Sequence, residues 1–157
     1  MKKPILAIII PCFNEELCIS VTAQRLIRLI ADLKEKVSKN SYLYFVDDGS
    51  KDNTWAIIEK LHKSDKRIKG MRFIKNFGNQ KAITAGLEAV RELGCDCAVS
   101  IDADLQQDER AIEQFIDEFE KGADIVAGIR NSRSTDSFLK KWSAVFFYKT
   151  MNVLGAR

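Results

Sequence analysis

Short apolar runs alternate along this chain with longer amphipathic stretches. The runs at 5–11, 42–47, 69–74, 96–101 and 123–129 predict β-strands. A block such as Cys97–Ile101 suits a strand buried on both faces of a parallel sheet. The stretches at about 15–36, 52–65, 79–92, 108–121 and 135–153 predict helices. In the first of these, Ile19, Ala23, Leu26, Ile27, Ile30 and Leu33 recur at helical spacing and mark a core face. Strands alternating with helices through short connections predict right-handed crossovers and a mainly parallel sheet with helices on both faces. Ser38-Lys39-Asn40-Ser41 is a polar break between one helix and the next strand. No repeat, linker or low-complexity tract interrupts the pattern, so residues 1–157 read as one domain.

The composition, 46% hydrophobic and 30% charged, fits a soluble globular domain with a sizeable core. The net charge of +3 is unevenly placed. Residues 130–157 carry Arg130, Arg133, Lys140, Lys141, Lys149 and Arg157 against Asp136 alone, a net of +5, so the rest nets −2. That asymmetry points to an anionic surface met by residues 130–157; charge alone leaves headgroups, a phosphorylated ligand and nucleic acid all open. Residues 137–154 add Trp142, Phe146, Phe147 and Tyr148 among the lysines, a pattern that suits an interfacial helix and equally a core helix. Either helix would present apolar surface and favour self-association, hence a homo-oligomer. Cys12, Cys18, Cys95 and Cys97 show no zinc-like spacing with the single His62 and read as reduced, packed thiols. The apolar stretch after Met1-Lys2-Lys3-Pro4 runs into Pro11-Cys12-Phe13-Asn14-Glu15 rather than a small-residue cleavage site, so no secretory leader is read. No segment reaches the roughly 20 apolar residues that span a bilayer.

Open parallel sheets bind ligands beyond the C-terminal ends of their strands, and the polar residues gather at those ends. The strands lead into Asn14-Glu15-Glu16, Asp47-Asp48-Gly49-Ser50, Lys75-Asn76-Phe77-Gly78-Asn79, Asp102-Ala103-Asp104 and Arg130-Asn131-Ser132-Arg133. Together they predict one polar rim around a ligand cleft. Asp102 and Asp104 stand at positions i and i+2, on one side of an extended chain, where both can face one ion. Oxygen ligands of this kind suit Mg2+ or Mn2+, particularly a cation shared with phosphate. They can instead cap the helix that starts near Asp108. A carboxylate in Asp47-Asp48-Gly49-Ser50 can accept the imide N–H of a nucleobase, while Asp52 or Ser50 can cap the next helix. The competing reading of that stretch is turn chemistry alone. No G-x-G-x-x-G follows the first strand, which argues against a dinucleotide-binding domain.

Four stretches in this order, Ile-Ile-Pro-Cys-Phe-Asn-Glu-Glu, Val-Asp-Asp-Gly-Ser-x-Asp-x-Thr, Asn-Phe-Gly-Asn-Gln-x-Ala and Asp-Ala-Asp-Leu-Gln, resemble the family-two inverting glycosyltransferases. Within that family they are most similar to the dolichyl- and polyprenyl-phosphate sugar synthases. The resemblance covers nearly the whole chain and implies a GT-A-type nucleotide-sugar-binding domain. It places Pro11, Phe13 and Glu15 along the nucleotide and Asp48 at the base, with Asp47 beside it. Asp102 falls near ribose and metal, and Asp104 and Gln106 hold the ion on the diphosphate. The branch often has His-Pro or Asp-Pro after the Gln, whereas Gln107-Asp108-Glu109 follow here. Such domains usually continue for further strands and helices, so the chain resembles an N-terminal portion.

The implied reaction is inverting transfer from a nucleotide-diphospho-sugar, with the divalent ion acting as Lewis acid at the leaving diphosphate. A polyprenyl phosphate acceptor is anionic near neutral pH and makes a general base less critical. Arg130 and Arg133 would hold its charge, with Arg130 counted among the catalytic groups. The expected setting is the cytoplasmic face of the membrane, without nucleic acid. Extension of a polysaccharide on an alcohol acceptor is an alternative, as is a nucleotide-sugar-binding module without turnover.

Overall fold

The computed structural model describes residues 3–128. Its contacts gather Met1–Val126 into one compact unit; of a second, Ala127–Arg157, only the first two residues are described. The elements run β1 (Leu6–Cys12), α1 (Ile19–Asp32), β2 (Tyr42–Asp47), α2 (Thr54–Ser64), β3 (Ile68–Arg72), α3 (Asn79–Glu92), β4 (Cys97–Ser100) and α4 (Ala111–Glu120). The first four expected strands and first four expected helices are all present, with frayed ends trimmed.

The strands form one parallel sheet in the order β3-β2-β1-β4. Every residue of β1 and β2 is buried, which explains their unbroken apolar composition. Side chains alternate between faces, so Leu6, Ile8, Ile10 and Cys12 enter one core with Ile19, Leu26, Ile58, Ile112 and Ile116 of the helices. Ala7 and Ile9 enter the other, against Ala82 and Val90 of α3. Helices therefore cover both faces, α1, α2 and α4 on one and α3 on the other. Gly86 allows α3 to approach closely: a Cβ there would stand 2.6 Å from Ile9 Cγ2.

The fifth expected strand, 123–129, is corrected for its described part. Residues 123–128 are irregular and Ile125 is 90% exposed. An apolar run becomes a strand only when a neighbour satisfies its backbone, and none pairs with these residues in the described sheet. The expected helix 135–153 lies outside the described residues.

Candidate functional site

Chain order reverses direction between β1 and β4, because β2 lies on one side of β1 and β4 on the other. A crevice is expected beyond the strand ends at such a point. Pro11 helps to open it. The Ile101 N–H donates to the Ile9 carbonyl at 3.0 Å, and two residues on Pro11 faces the same way with no N–H to offer. The β1–β4 ladder stops there and the chains part. The resulting cavity of about 340 Å3 is lined by Pro11, Cys12, Phe13, Glu15, Asp48, Asn76, Gly78, Asn79, Ala82, Asp102, Ala103 and Asp104. Phe13 also borders a wider hollow of about 740 Å3 shared with Gly49, Ser50, Lys51, Arg72, Phe73, Ile74, Lys75 and Asn76.

The wall from Phe13 to Glu16 is held by the stretch after β2. Ser50 Oγ accepts Asn14 N at 2.9 Å, Thr54 Oγ1 accepts Glu15 N at 2.8 Å and Asp52 Oδ2 accepts Glu16 N at 3.1 Å. In return Asn14 Oδ1 accepts Lys51 N at 2.9 Å, and Glu16 Oε2 accepts Asn53 N at 3.0 Å and Asn53 Nδ2 at 2.8 Å. Three alternate side chains thus receive three successive backbone N–H groups of the β1–α1 loop. Asn14 adopts φ 57°, a left-handed conformation that Asn tolerates. Capping of α2 is a minor part of this: Asp52 Oδ1 accepts Thr54 N at 3.0 Å, while Ser50 serves the loop instead.

The two neighbouring aspartates point to different tasks. Asp48 is nearly buried on the cavity wall, where Oδ1 accepts Phe77 N at 2.7 Å and Oδ2 accepts Gly78 N at 2.8 Å. Asp47 is wholly buried and lines neither hollow. Its Oδ1 accepts Ser50 N at 2.9 Å. Its Oδ2 lies 3.2 Å from Arg72 Nε, an ion pair without hydrogen-bond alignment, and has no hydrogen-bond partner among the described residues. Arg72 Nη2 is committed to the Ser50 carbonyl at 2.9 Å.

Beyond β4 the chain turns at Asp102–Leu105, with Leu105 N donating to the Asp102 carbonyl at 3.2 Å. Both Asp102 and Asp104 are exposed to the cavity mouth. Asp104 Oδ1 accepts Gln106 N at 3.1 Å, and Asp102 Oδ2 accepts Gln107 Nε2 at 2.7 Å. Among the described residues the second oxygen of each carboxylate has no donor. Capping is not their role, since α4 begins at Ala111 and its first residues follow Asp108, which accepts Arg110 N at 3.1 Å. Among the described residues no three His, Cys, Asp or Glu stand close enough to share one ion. Two free carboxylate oxygens and an exposed Gln106 amide are a hard, incomplete donor set, which fits Mg2+ or Mn2+ completed by phosphate oxygens.

The structure thus brings Pro11, Phe13, Glu15, Asp48, Asp102 and Asp104 around one cavity, whereas Gln106 and Asp47 are not part of its lining. Arg130 lies outside the described residues. Sequence reasoning did not single out Asn76, Gly78 and Asn79 as cavity lining, although they fall within a strand-end stretch it did mark. The cysteines are all free thiols. Burial, followed by a hydrogen bond to Glu15 Oε2 at 3.0 Å, pushes the Cys18 thiol up to about 12, so it is not a thiolate nucleophile at neutral pH.

A parallel sheet with its cleft at the strand reversal and a carboxylate pair on one lip has the architecture of the GT-A glycosyltransferase fold. Residues 7–156 match the profile of glycosyl transferase family 2, and the chain belongs to that family. It is 43% identical over 158 residues to the uncharacterized glycosyltransferase YkoT of Bacillus subtilis (strain 168), covering 99% of this chain and 47% of that protein. It is 35% identical over 147 residues to the prophage bactoprenol glucosyl transferase homolog of Escherichia coli (strain K12), covering 94% and 46%. The chain therefore spans about half the length of these curated relatives. The fold is similar to that of mannosyltransferase PcManGT from Pyrobaculum calidifontis in complex with GDP-Man and Mn2+, with a TM-score of 0.54, 18% identity and coverage of 82% and 35%. No helix among the described residues is long and apolar enough to cross a membrane.

Proposed function

We propose that this chain is the N-terminal catalytic portion of an inverting glycosyltransferase that moves a sugar from a nucleotide-diphospho-sugar to a polyprenyl phosphate. The observation that carries the reading is the pair Asp102 and Asp104, each with an oxygen that takes no donor among the described residues, on the lip of a cavity also lined by Phe13, Glu15 and Asp48. The 35% identity to a bactoprenol glucosyl transferase homolog supports the lipid phosphate as acceptor.

In this reading the nucleoside packs against Phe13 and the wall of Pro11 and Glu15, and its diphosphate reaches Asp102 and Asp104. A divalent ion bound there would neutralise charge that develops on the leaving diphosphate. Asp104 and Gln106 would hold that ion, and Asp102 would serve the ion and the ribose. Asp48 has lone pairs beyond those given to Phe77 and Gly78, and one can accept a base imide while the carboxylate holds the loop. Asp47 contributes from behind, fixing the turn that presents Asp48. Arg130, with Arg133, supplies positive charge for the acceptor phosphate. Residues 1–157 then form one catalytic domain's N-terminal portion, working at the cytoplasmic membrane face.

The test is sugar transfer to a short polyprenyl phosphate, with UDP- and GDP-sugars, in Mg2+, Mn2+ and chelator, using this chain and a full-length relative. Transfer by both, abolished by chelator, is the expected result. Transfer only to alcohol acceptors supports polysaccharide extension, and donor binding without transfer by this chain supports a binding module.

A further inference from the structure

The turn that carries the two cleft carboxylates is strained, and helix α1 holds it. Leu105 sits at φ 50°, a left-handed conformation that is unfavourable for an L-residue with a side chain of this size. Such strain persists only where the surroundings over-determine it. Directly beneath the turn, Thr22 Oγ1 donates to the carbonyl of Ala103, the residue between the aspartates, at 2.6 Å. Thr22 is 2% exposed and Ala103 4%, so this bond is shielded from water. Thr22 is the hydrogen-bond donor to that carbonyl among the described residues. One turn along the same helix face, Arg25 pairs with Glu109 beyond the turn. From the solvent side, Gln107 brackets Asp102, donating from Nε2 to Oδ2 at 2.7 Å while its Oε1 lies 3.5 Å from Asp102 N.

We propose that Thr22 is a positioning residue for the Asp102–Asp104 carboxylate pair, fixing the backbone between them while Gln107 fixes the rotamer of Asp102. This rests on the reading that the pair receives a metal-bound diphosphate. The hydroxyl matters, not the methyl: a valine fills the same space yet leaves the Ala103 carbonyl buried without a donor, and the turn can relax away from the geometry that aims both carboxylates into the cleft. Groups behind metal ligands commonly set affinity by a factor of ten or more.

Isothermal titration of the purified chain with UDP and, separately, GDP, each with and without Mn2+, tests this. Thr22→Val should weaken the Mn2+-dependent part of binding tenfold or more, while Thr22→Ser stays within about threefold of wild type. Gln107→Ala, at an exposed position outside the core, should weaken the same part severalfold. Binding of the nucleoside without phosphates should be unchanged in all three, which a general loosening of the fold would not leave intact. Thr22→Val and Gln107→Ala proteins that fold and match wild type in Mn2+-dependent binding overturn the inference. If Thr22→Val does not fold, Thr22→Ala takes its place and the same comparison decides. A wild-type chain with no Mn2+-dependent binding of either nucleotide overturns the donor reading itself.

Discussion

The carboxylate of Asp48 accepts the backbone N–H of Gly78, 30 positions away in sequence, at 2.8 Å, and its other oxygen takes the N–H of Phe77 at 2.7 Å. Gly78 is the residue just before α3, so one side chain organises the entry to a helix that belongs to a different strand connection. Replacing Asp48 by Ala should lower unfolding free energy by about 2–3 kcal/mol, since hydrogen bonds to a charged group are worth about 1.5–3 kcal/mol and two part-buried amides lose their acceptor. Urea denaturation measures this. A loss below about 1 kcal/mol would show that the loop finds other partners.

Gly49 and Gly78 both have positive φ, at 72° and 95°, yet their surroundings differ. A Cβ at Gly49 would stand 2.3 Å from the Lys75 carbonyl carbon and 2.7 Å from Asn76 N, whereas nothing lies within 4 Å of one at Gly78. Gly78→Ala should therefore cost only backbone strain, about 1–3 kcal/mol, because φ 95° with ψ 151° is a conformation essentially reserved for glycine. Gly49→Ala must also push two backbones apart and should cost about 3 kcal/mol or more. Equal thermal unfolding midpoints for the two variants would contradict the tight packing of these loops.

Asp104→Asn should weaken Mn2+-dependent nucleoside diphosphate binding by more than tenfold, about 1.4 kcal/mol. Glu88→Gln, on the exposed face of α3, should leave it unchanged. Affinity that is the same with Mn2+ and with chelator would remove the metal from the site.

Asp52 links pH to stability. Burial pushes its carboxyl up, but hydrogen bonds from Thr54 and from the Glu16 amide outweigh this and hold it below the ordinary carboxylate value. The unfolded chain therefore takes up the proton first as pH falls. The stability due to Asp52 is complete above the unfolded pKa of about 4 and disappears as pH drops through the lower folded value. Asp52→Asn should flatten the acid limb of a plot of urea midpoint against pH relative to wild type. Parallel acid limbs would show that Asp52 titrates alike in both states.

Element type was legible where burial is complete on both faces or periodic on one, as in β1 and α1. It failed at 123–128, because apolar content does not reveal whether a partner strand lies alongside. The lip carboxylates were legible from their place at one of several polar strand ends, since Asp at i and i+2 taken alone suits a helix cap equally well. The spacing of Ser50, Asp52 and Thr54 invited a local reading as turn and cap. Their actual partners are the amides of Asn14, Glu15 and Glu16, which only the parallel register of β1 with β2 brings within reach. Likewise Asp47 and Asp48 are indistinguishable as letters, and the pleat sends one to Arg72 and the other to the cavity.

The six hydrogen bonds that stitch residues 14–16 to residues 50–54 have a thermodynamic consequence for recognition. A free loop beside a cleft must surrender backbone entropy each time a ligand docks, on the order of 1–2 kcal/mol for every residue fixed. Here that loss has already occurred during folding, so it is common to every ligand and cancels when two ligands are compared. Discrimination between ligands at this wall then comes from contacts alone, and heats of binding for related ligands should differ more than their ordering penalties do.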